Sequence, residues 1–128
     1  MTQAPKRILL VEDEKNIAMA LSYIIEREGY VLDHVADGAE AIAAVDATRP
    51  DLVVLDAMLP EVSGYSVCQH IRESDELSDT KVLMISAAGE TARRRALAMG
   101  ADAFFLKPFD TRELTGEMQA LLDGASRV

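Results

Sequence analysis

Short apolar runs alternate with stretches of helical periodicity five times along the chain. Each run is four or five residues long and rich in aliphatic side chains, as is typical of strands buried on both faces of a sheet. The predicted strands cover residues 7–11, 31–35, 52–55, 81–85 and 103–106. After each strand, apolar residues recur at spacings of three and four, which predicts an amphipathic helix.

Capping and turn residues set the expected limits of these helices. Asp37 with Glu40 three residues later, and Asp110 with Glu113, are both typical of a helix N-terminus. The first helix is expected to end before Gly29, and the second to run from 37 to 46. The third should begin near 63 or 64 and fade in 74–80, the fourth should span 90–99, and the last should run from about 110 to 122.

The alternation of strands and helices predicts an α/β fold. Near-continuous apolar strands indicate a parallel sheet, covered on both faces by helices in right-handed crossovers. For five strands, the doubly wound, flavodoxin-like order 2-1-3-4-5 is the economical arrangement, with a switch point between the first and third strands. No repeat, low-complexity segment or linker interrupts the pattern. We therefore predict one domain over residues 1–128, with a short tail at 123–128.

Composition removes several function classes. The net charge of -9 opposes direct nucleic-acid binding by this domain, because phosphates would repel it. A single cysteine, Cys68, excludes an internal disulfide and a thiolate zinc cluster, and we expect it to be half-buried in a helix. The first apolar run is too short for a signal peptide or a membrane span, so we expect a cytoplasmic protein without a membrane partner.

Polar side chains follow four of the predicted strands, at the edge where ligands bind to open α/β sheets. Glu12 and Asp13 follow the first strand, Asp56 the third, Ser86 the fourth and Lys107 the fifth. Two like charges ~4 Å apart repel by about 4 kcal/mol at an intermediate dielectric, and a hard divalent cation removes that cost. Oxygen ligands favour Mg²⁺, while the lysine and the serine suit phosphoryl oxygens. The set fits phosphoryl transfer to a carboxylate.

With these residues in place, the chain resembles the receiver domains of two-component response regulators over essentially its full length. The matching features are Glu12-Asp13, Asp56 with Pro60 and Gly64, Ser86-Ala87 and Lys107-Pro108-Phe109. The resemblance implies that Asp56 accepts a phosphoryl group from a histidine kinase or a histidine phosphotransfer protein. It also implies that Mg²⁺ is held by Glu12, Asp13, Asp56 and the backbone carbonyl of Met58. Such a protein is a phosphoacceptor that assists its own phosphorylation and dephosphorylation, not an enzyme.

The resemblance further implies a conformational switch. Lys107 would pair with the phosphoryl group, and the Lys107–Pro108 bond would be cis. Ser86 and Phe104 match the family's switch pair of a hydroxyl and an aromatic residue, although Phe104 lacks the hydroxyl of the commoner tyrosine. Phosphorylation would alter the face formed by the fourth helix, fifth strand and fifth helix, for a homodimer or another partner. That face would carry residues 93–95, Asp102, Arg112 and Glu113.

Two side chains bear on the lifetime of the phosphoryl group. In the family, self-dephosphorylation is influenced by the residues two beyond the phosphoacceptor and two beyond the hydroxyl. Here these are Met58 and Ala88, and neither can orient a water molecule. The resemblance therefore implies slow hydrolysis.

Competing function classes fail on particular residues. A phosphatase of the haloacid dehalogenase type would need a second aspartate where Met58 stands, and a flavodoxin would need a Ser/Thr/Gly phosphate loop at 12–15. No Walker loop is present. The remaining alternative is a pseudo-receiver, which keeps the fold as a phosphorylation-independent protein-interaction module. The sequence leaves open the kinase, the output, and whether the domain stands alone or comes from a longer DNA-binding regulator or hybrid kinase.

Other polar residues are expected to have structural roles. His34 and His70 are predicted to lie away from the strand ends, in an edge strand and a helix. Residues 93–95, all arginine, are predicted to form a solvated helix face.

Overall fold

The computed structural model describes residues 5–123, and within them five parallel strands form one sheet of order β2-β1-β3-β4-β5. The strands are β1 (Arg7–Val11), β2 (Val31–Val35), β3 (Leu52–Asp56), β4 (Lys81–Ser86) and β5 (Ala103–Leu106). The helices are α1 (Lys15–Arg27), α2 (Gly38–Thr48), α3 (Gly64–Glu73), α4 (Glu90–Ala98) and α5 (Thr111–Leu122). The predicted doubly wound fold and strand order are confirmed. Residues 1–4 and most of the predicted tail, 124–128, lie outside the described residues.

The sheet is buried between two apolar layers, because successive side chains of a strand point to opposite faces. Leu9 and Val53 pack with α2, α3 and α4, whereas Ile8 and Val54 pack with α1 and α5. β3 is central and every one of its residues is buried, while β2 lies at the edge and none of its residues is fully buried. This explains why β3 is a continuous apolar run that ends in a single carboxylate.

Side-chain caps begin three of the helices. Asp37 accepts a hydrogen bond from the backbone N–H of Glu40 (2.8 Å), and Asp110 accepts one from that of Arg112 (2.7 Å), as the sequence predicts. Ser63 caps α3 in the same way. α2 extends to Thr48, two residues beyond the predicted end at 46, because the chain turns only where Arg49 takes a left-handed conformation (φ 47°).

α3 ends at Glu73, which agrees with the predicted loss of helix in 74–80, whereas the prediction for Cys68 is wrong. The fading stretch contains a short 3₁₀ turn, Asp75–Leu77, which is held down by the buried side chain of Leu77. Cys68 is fully buried rather than half-buried, and its thiol donates to the carbonyl oxygen of Met99 (3.5 Å). Burial raises the pKa of this thiol to about 11, so it is a packing residue in the α3–α4 contact.

Close packing places α3 directly against the end of β3. A Cβ atom at Gly64 would overlap the backbone carbonyl oxygen of Asp56, so glycine is required for this approach. The N–H of Gly64 donates to the carbonyl of Ala57 (3.0 Å), and the N–H of Ala57 donates to that of Ile85 (2.9 Å). The loop after Asp56 is therefore anchored at both of its ends.

In the described part of the chain, none of the helices has the length and apolar character that a membrane span requires.

Candidate functional site

Three carboxylates meet at the carboxyl edge of the sheet. Oxygen atoms of Glu12, Asp13 and Asp56 lie within 4.8 Å of one another. β1 and β3 are neighbours, with Val11 paired to Leu55, so the residues that end or follow these strands face each other. Glu12 and Asp56 are 1% and 5% exposed, whereas Asp13 is open to solvent. The cluster is therefore buried on one side and accessible on the other.

Lys107 reaches this cluster from the end of β5. Its Nζ atom lies 2.9 Å from Oδ2 of Asp56 and 3.4 Å from Oε1 of Glu12. Its backbone N–H donates to the carbonyl of Ser86 (2.9 Å), and its peptide bond to Pro108 is cis. Among residues 5–123, Lys107 is the one cation that forms ion pairs within this cluster, and it pairs with Glu12 and Asp56. One ammonium group therefore faces three acidic groups.

The excess of acidic groups changes the protonation of the site. Burial and the negative charge of Asp56 raise the pKa of Glu12 to about 7. For Lys107, burial alone would lower the pKa, but the contacts with Asp56 and Glu12 outweigh burial and raise it. The lysine is thus held charged, while Glu12 retains a proton more readily than an ordinary glutamate. The metal-free site carries more negative charge than its own residues neutralise.

The donor set fits a hard divalent cation. All three side chains offer carboxylate oxygens, and the exposed Asp13 leaves an approach for water and for an oxygen-rich ligand. Burial and the charge of Asp56 raise the pKa of Glu12, and a compact cation with oxygen ligands, such as Mg²⁺, would favour its charged form.

The β3–α3 loop contributes a backbone donor. The N–H of Met58 lies 2.9 Å from Oδ1 of Asp56, so the two carboxylate oxygens of Asp56 have different partners, Met58 and Lys107. The side chain of Met58 is 65% exposed at the mouth of the site. The use of its carbonyl as a metal ligand stays a prediction.

Ser86 and Phe104 lie on neighbouring strands beside this cluster. Ser86 ends β4, is fully buried, and its Oγ accepts a hydrogen bond from the N–H of Ala88 (3.1 Å). Phe104 pairs with Met84 across β4 and β5, and its half-buried ring packs against the core on the α2–α4 face. Phe104 lies level with Met84, two residues before Ser86 on the neighbouring strand, and the coupling of Ser86 and Phe104 as a switch stays a prediction.

Two of the remaining polar residues make contacts that differ from the expectations. His34 is not remote from the strand ends, since its Nε2–H donates to the carbonyl of Glu12 (2.8 Å), whereas His70 pairs with Asp46, away from the cluster. Pairing of β2 with β1 places His34 opposite Leu10, close to Glu12. The register of these two strands is the feature from which this contact could have been predicted. Arg95, expected only to be solvated, stacks on the ring of Tyr65, with 4.1 Å between its Cζ atom and the ring centroid.

Asp102 is also placed differently from the sequence prediction. Instead of presenting its charge on the surface of the α4–β5–α5 face, it pairs with Arg72 of α3 at 2.6 Å. Its Oδ2 atom also accepts a hydrogen bond from the N–H of Val82 (2.8 Å).

Comparisons with known proteins agree with this geometry. The model of the response regulator receiver domain family matches residues 8–119. The phosphate regulon transcriptional regulatory protein PhoB of Rhizobium meliloti is 40% identical over 117 residues, which is 91% of this chain and 52% of that protein. The transcriptional regulatory protein TcrA of Mycobacterium tuberculosis is 44% identical over 116 residues, 90% of this chain and 45% of that protein. The chain thus spans about half the length of the curated relatives it matches.

A solved structure is similar along nearly the whole of both chains. It is the receiver domain of a sensor histidine kinase from Pseudomonas aeruginosa, with a magnesium ion coordinated in its active-site cleft. It has a TM-score of 0.86 and 29% identity, and the match covers 94% of this chain and 99% of that one.

Proposed function

This chain belongs to the response regulator receiver domain family of two-component systems, and we propose that it accepts a phosphoryl group on Asp56. The observation that carries the proposal is the 2.9 Å contact between Lys107 and Asp56 inside the acidic cluster. Asp56 ends the central strand, where the rigid core holds its carboxylate in one place. The expected donor is the phosphohistidine of a histidine kinase or a histidine phosphotransfer protein.

Transfer would begin with attack by a carboxylate oxygen of Asp56 on the phosphorus atom. A P–O bond to Asp56 forms while the P–N bond of the phosphohistidine breaks, and its electron pair returns to the imidazole ring. Lys107 would follow the charge from the carboxylate to the phosphoryl oxygens, and the N–H of Met58 keeps the carboxylate oriented. Glu12, Asp13, Asp56 and the carbonyl of Met58 would hold Mg²⁺, which when bound neutralises charge on the phosphoryl oxygens.

Phosphorylation would then be converted into a change of surface. The hydroxyl of Ser86, which accepts from Ala88 in this structure, would turn to donate to a phosphoryl oxygen. Phe104 would rotate inward behind it, and the α4–β5–α5 face would move to a second arrangement. That arrangement would favour a homodimer or another protein partner. In this scheme the chain is a phosphoacceptor that assists its own phosphorylation and dephosphorylation, and is not an enzyme.

Transcriptional regulation, the role in the names of the curated relatives, would be reached through protein contacts. The net charge of -9 opposes direct binding of this domain to nucleic-acid phosphates.

Intact mass spectrometry tests the proposal. The chain is incubated with acetyl phosphate, with and without Mg²⁺, beside the variants Asp56→Ala and Asp79→Ala. We expect a gain of one phosphoryl mass that requires Mg²⁺ and is lost in Asp56→Ala. Asp79→Ala removes an exposed carboxylate elsewhere and should be modified like the wild type. No gain in the folded wild type would contradict the proposal and favour a pseudo-receiver.

A further inference from the structure

A cleft of about 530 Å³ opens beside the acidic cluster, between the β3–α3 loop and α4. Asp13 of the cluster and Met58 line this cleft together with Tyr65 and Arg95. Met58 contacts Asp56 directly through its N–H, so the cleft borders the nucleophile proposed above. Arg95 thus lines the same cleft as Asp13 of the acidic cluster and Met58, which contacts the nucleophile.

Arg95 is held in a fixed orientation but its charge is not used. The ring of Tyr65 is 5% exposed and packed in the core, so it is a rigid platform for the guanidinium group stacked on it. Stacking uses the face of the guanidinium group and leaves the N–H donors at its edge. Five arginine and lysine side chains among residues 5–123 form ion pairs or hydrogen bonds, namely those of Arg7, Arg49, Arg72, Arg94 and Lys107. The side chain of Arg95 is not one of them.

The second opening near the site has a different character. It is lined mainly by apolar side chains of α1 together with Pro108 and Phe109. Its one cation, Lys107, is already engaged with Asp56 and Glu12 and is mostly buried. An anionic leaving group would therefore gain more from the cleft at Arg95, where a stacked and unpaired guanidinium group faces solvent.

We infer that Arg95 binds the departing carboxylate of a small acyl phosphate, and so makes this receiver prefer acyl phosphates over phosphoramidates. The inference rests on the proposed function of Asp56. When Asp56 attacks acetyl phosphate, the P–O bond to the acyl group breaks and its electron pair leaves as acetate, without a proton. Negative charge thus grows on the leaving oxygen in the loose transition state. Phosphoramidate, already protonated on nitrogen, leaves as neutral ammonia and gains nothing from a cation.

Competing donors test this assignment. The second-order rate constants for Asp56 phosphorylation by acetyl phosphate and by phosphoramidate are measured at one saturating Mg²⁺ concentration. In Arg95→Gln we expect the acetyl phosphate rate to fall about fivefold, the scale of a partly exposed charge interaction. The phosphoramidate rate should stay within about twofold, because its leaving group carries no developing negative charge. Arg95→Lys should lie between the wild type and Arg95→Gln.

A matched variant separates local contact from net charge. Arg93→Gln removes the same charge from the same helix, at an exposed residue that does not line the cleft. Its ratio of the two rates should equal that of the wild type. An equal loss for both donors in Arg95→Gln, no loss for either, or the same ratio change in Arg93→Gln would each overturn the inference. A wild type that neither donor phosphorylates would instead overturn the proposed function, and the inference with it.

Binding without transfer gives an independent readout. Phosphonoacetate carries a phosphonate and a carboxylate but cannot transfer its phosphorus, because a carbon atom joins the two groups. Titration with phosphonoacetate should shift the Nε–H resonance of Arg95, whereas methylphosphonate, which lacks the carboxylate, should not. Equal shifts with both compounds would contradict a carboxylate contact.

Discussion

The carboxyl and amino edges of the sheet differ in how well their charged side chains are paired. At the carboxyl edge, three carboxylates lie together, those of Glu12, Asp13 and Asp56, and one cation, Lys107, pairs with two of them, Glu12 and Asp56. The pKa of Glu12 is raised to about 7 by burial and by the charge of Asp56. The carboxyl edge carries an excess of negative charge, so binding of a cation there, alone or with a phosphoryl group, is favourable.

At the amino edge, an arginine is fully matched. Arg72 of α3 donates to the carbonyl oxygens of Gly100 (2.8 Å) and Thr80 (2.9 Å) and pairs with Asp102 (2.6 Å). Asp102 in turn accepts from the N–H of Val82 at the start of β4. These contacts join α3 to the segments that lead into β4 and β5, so this edge supports stability rather than chemistry.

Buried charged groups therefore have two different roles at the two edges of this sheet. A matched pair holds elements together, and its loss leaves a partner without compensation. An unmatched cluster costs stability until a ligand binds, and that cost favours ligand binding.

Breaking the matched edge should have the largest effect on stability. Arg72→Ala removes the ion-pair partner of Asp102 and the side-chain donor of two carbonyl groups, and we expect the free energy of unfolding to fall by about 3 kcal/mol. Arg49→Ala removes a short (2.9 Å) but exposed pair with Glu76 and should cost less than about 1 kcal/mol. Urea denaturation measures both. Equal losses would show that burial does not distinguish the two pairs.

Binding of Mg²⁺ to the carboxyl edge should have the second-largest effect on stability. Mg²⁺ at about 100 times its dissociation constant should raise the free energy of unfolding by about 2.7 kcal/mol, because it binds the folded state selectively. The rise should be lost in Asp13→Asn, which removes the accessible carboxylate of the cluster. Thermal denaturation with and without Mg²⁺ measures this change. A rise that survives in Asp13→Asn would locate the ion elsewhere.

The pH dependence should reveal the same imbalance without metal. Glu12 has a pKa of about 7 in the folded chain against 4.5 ordinarily, so between these values the folded state holds more protons than the unfolded one. Stability of the metal-free protein is therefore lost through this group as pH rises from about 4.5 to about 7, by on the order of 2 kcal/mol. Urea midpoints at pH 5 and pH 8 should show this loss relative to Glu12→Gln. A pH-independent difference between the two proteins would exclude it.

The smallest effect concerns the lifetime of the phosphoryl group. Met58 stands exposed at the mouth of the site and cannot orient a water molecule, so loss of phosphate should be slow and Met58→Asn should accelerate it severalfold. Met19→Asn, at an equally exposed methionine of α1, should leave the rate unchanged. The decay of the phosphorylated mass over time measures both rates. A phosphoryl half-life of seconds in the wild type would contradict the prediction.

The sequence predicts the carboxyl edge well, and the reason is geometric. Parallel strands end at one edge, so residues such as Glu12, Asp56 and Lys107 can be grouped as soon as the strands are recognised. The helix starts at Asp37 and Asp110 are equally predictable, because their partners lie within three residues.

The contacts that the sequence did not reveal join residues far apart in the chain. Arg72 and Asp102 are 30 positions apart, as are Tyr65 and Arg95, and each pair depends on how one helix sits beside another element. No periodicity distinguishes Arg95 from Arg93 and Arg94, since all three are exposed on α4. The pairing of a side chain across elements follows from the assembled packing and not from the local pattern.

Because α3 approaches β3 closely at Gly64, the position of the Asp56 carboxylate does not depend on the side chains of the loop between them. The loop between Asp56 and α3 is anchored by the backbone contacts of Ala57 and by the contact of Gly64 with the carbonyl of Asp56. Side chains between these anchors, such as Met58, can change without moving the carboxylate. A lineage of such domains can therefore alter how long a signal persists by single substitutions in the loop. It cannot place a side chain at position 64 without displacing the nucleophile itself.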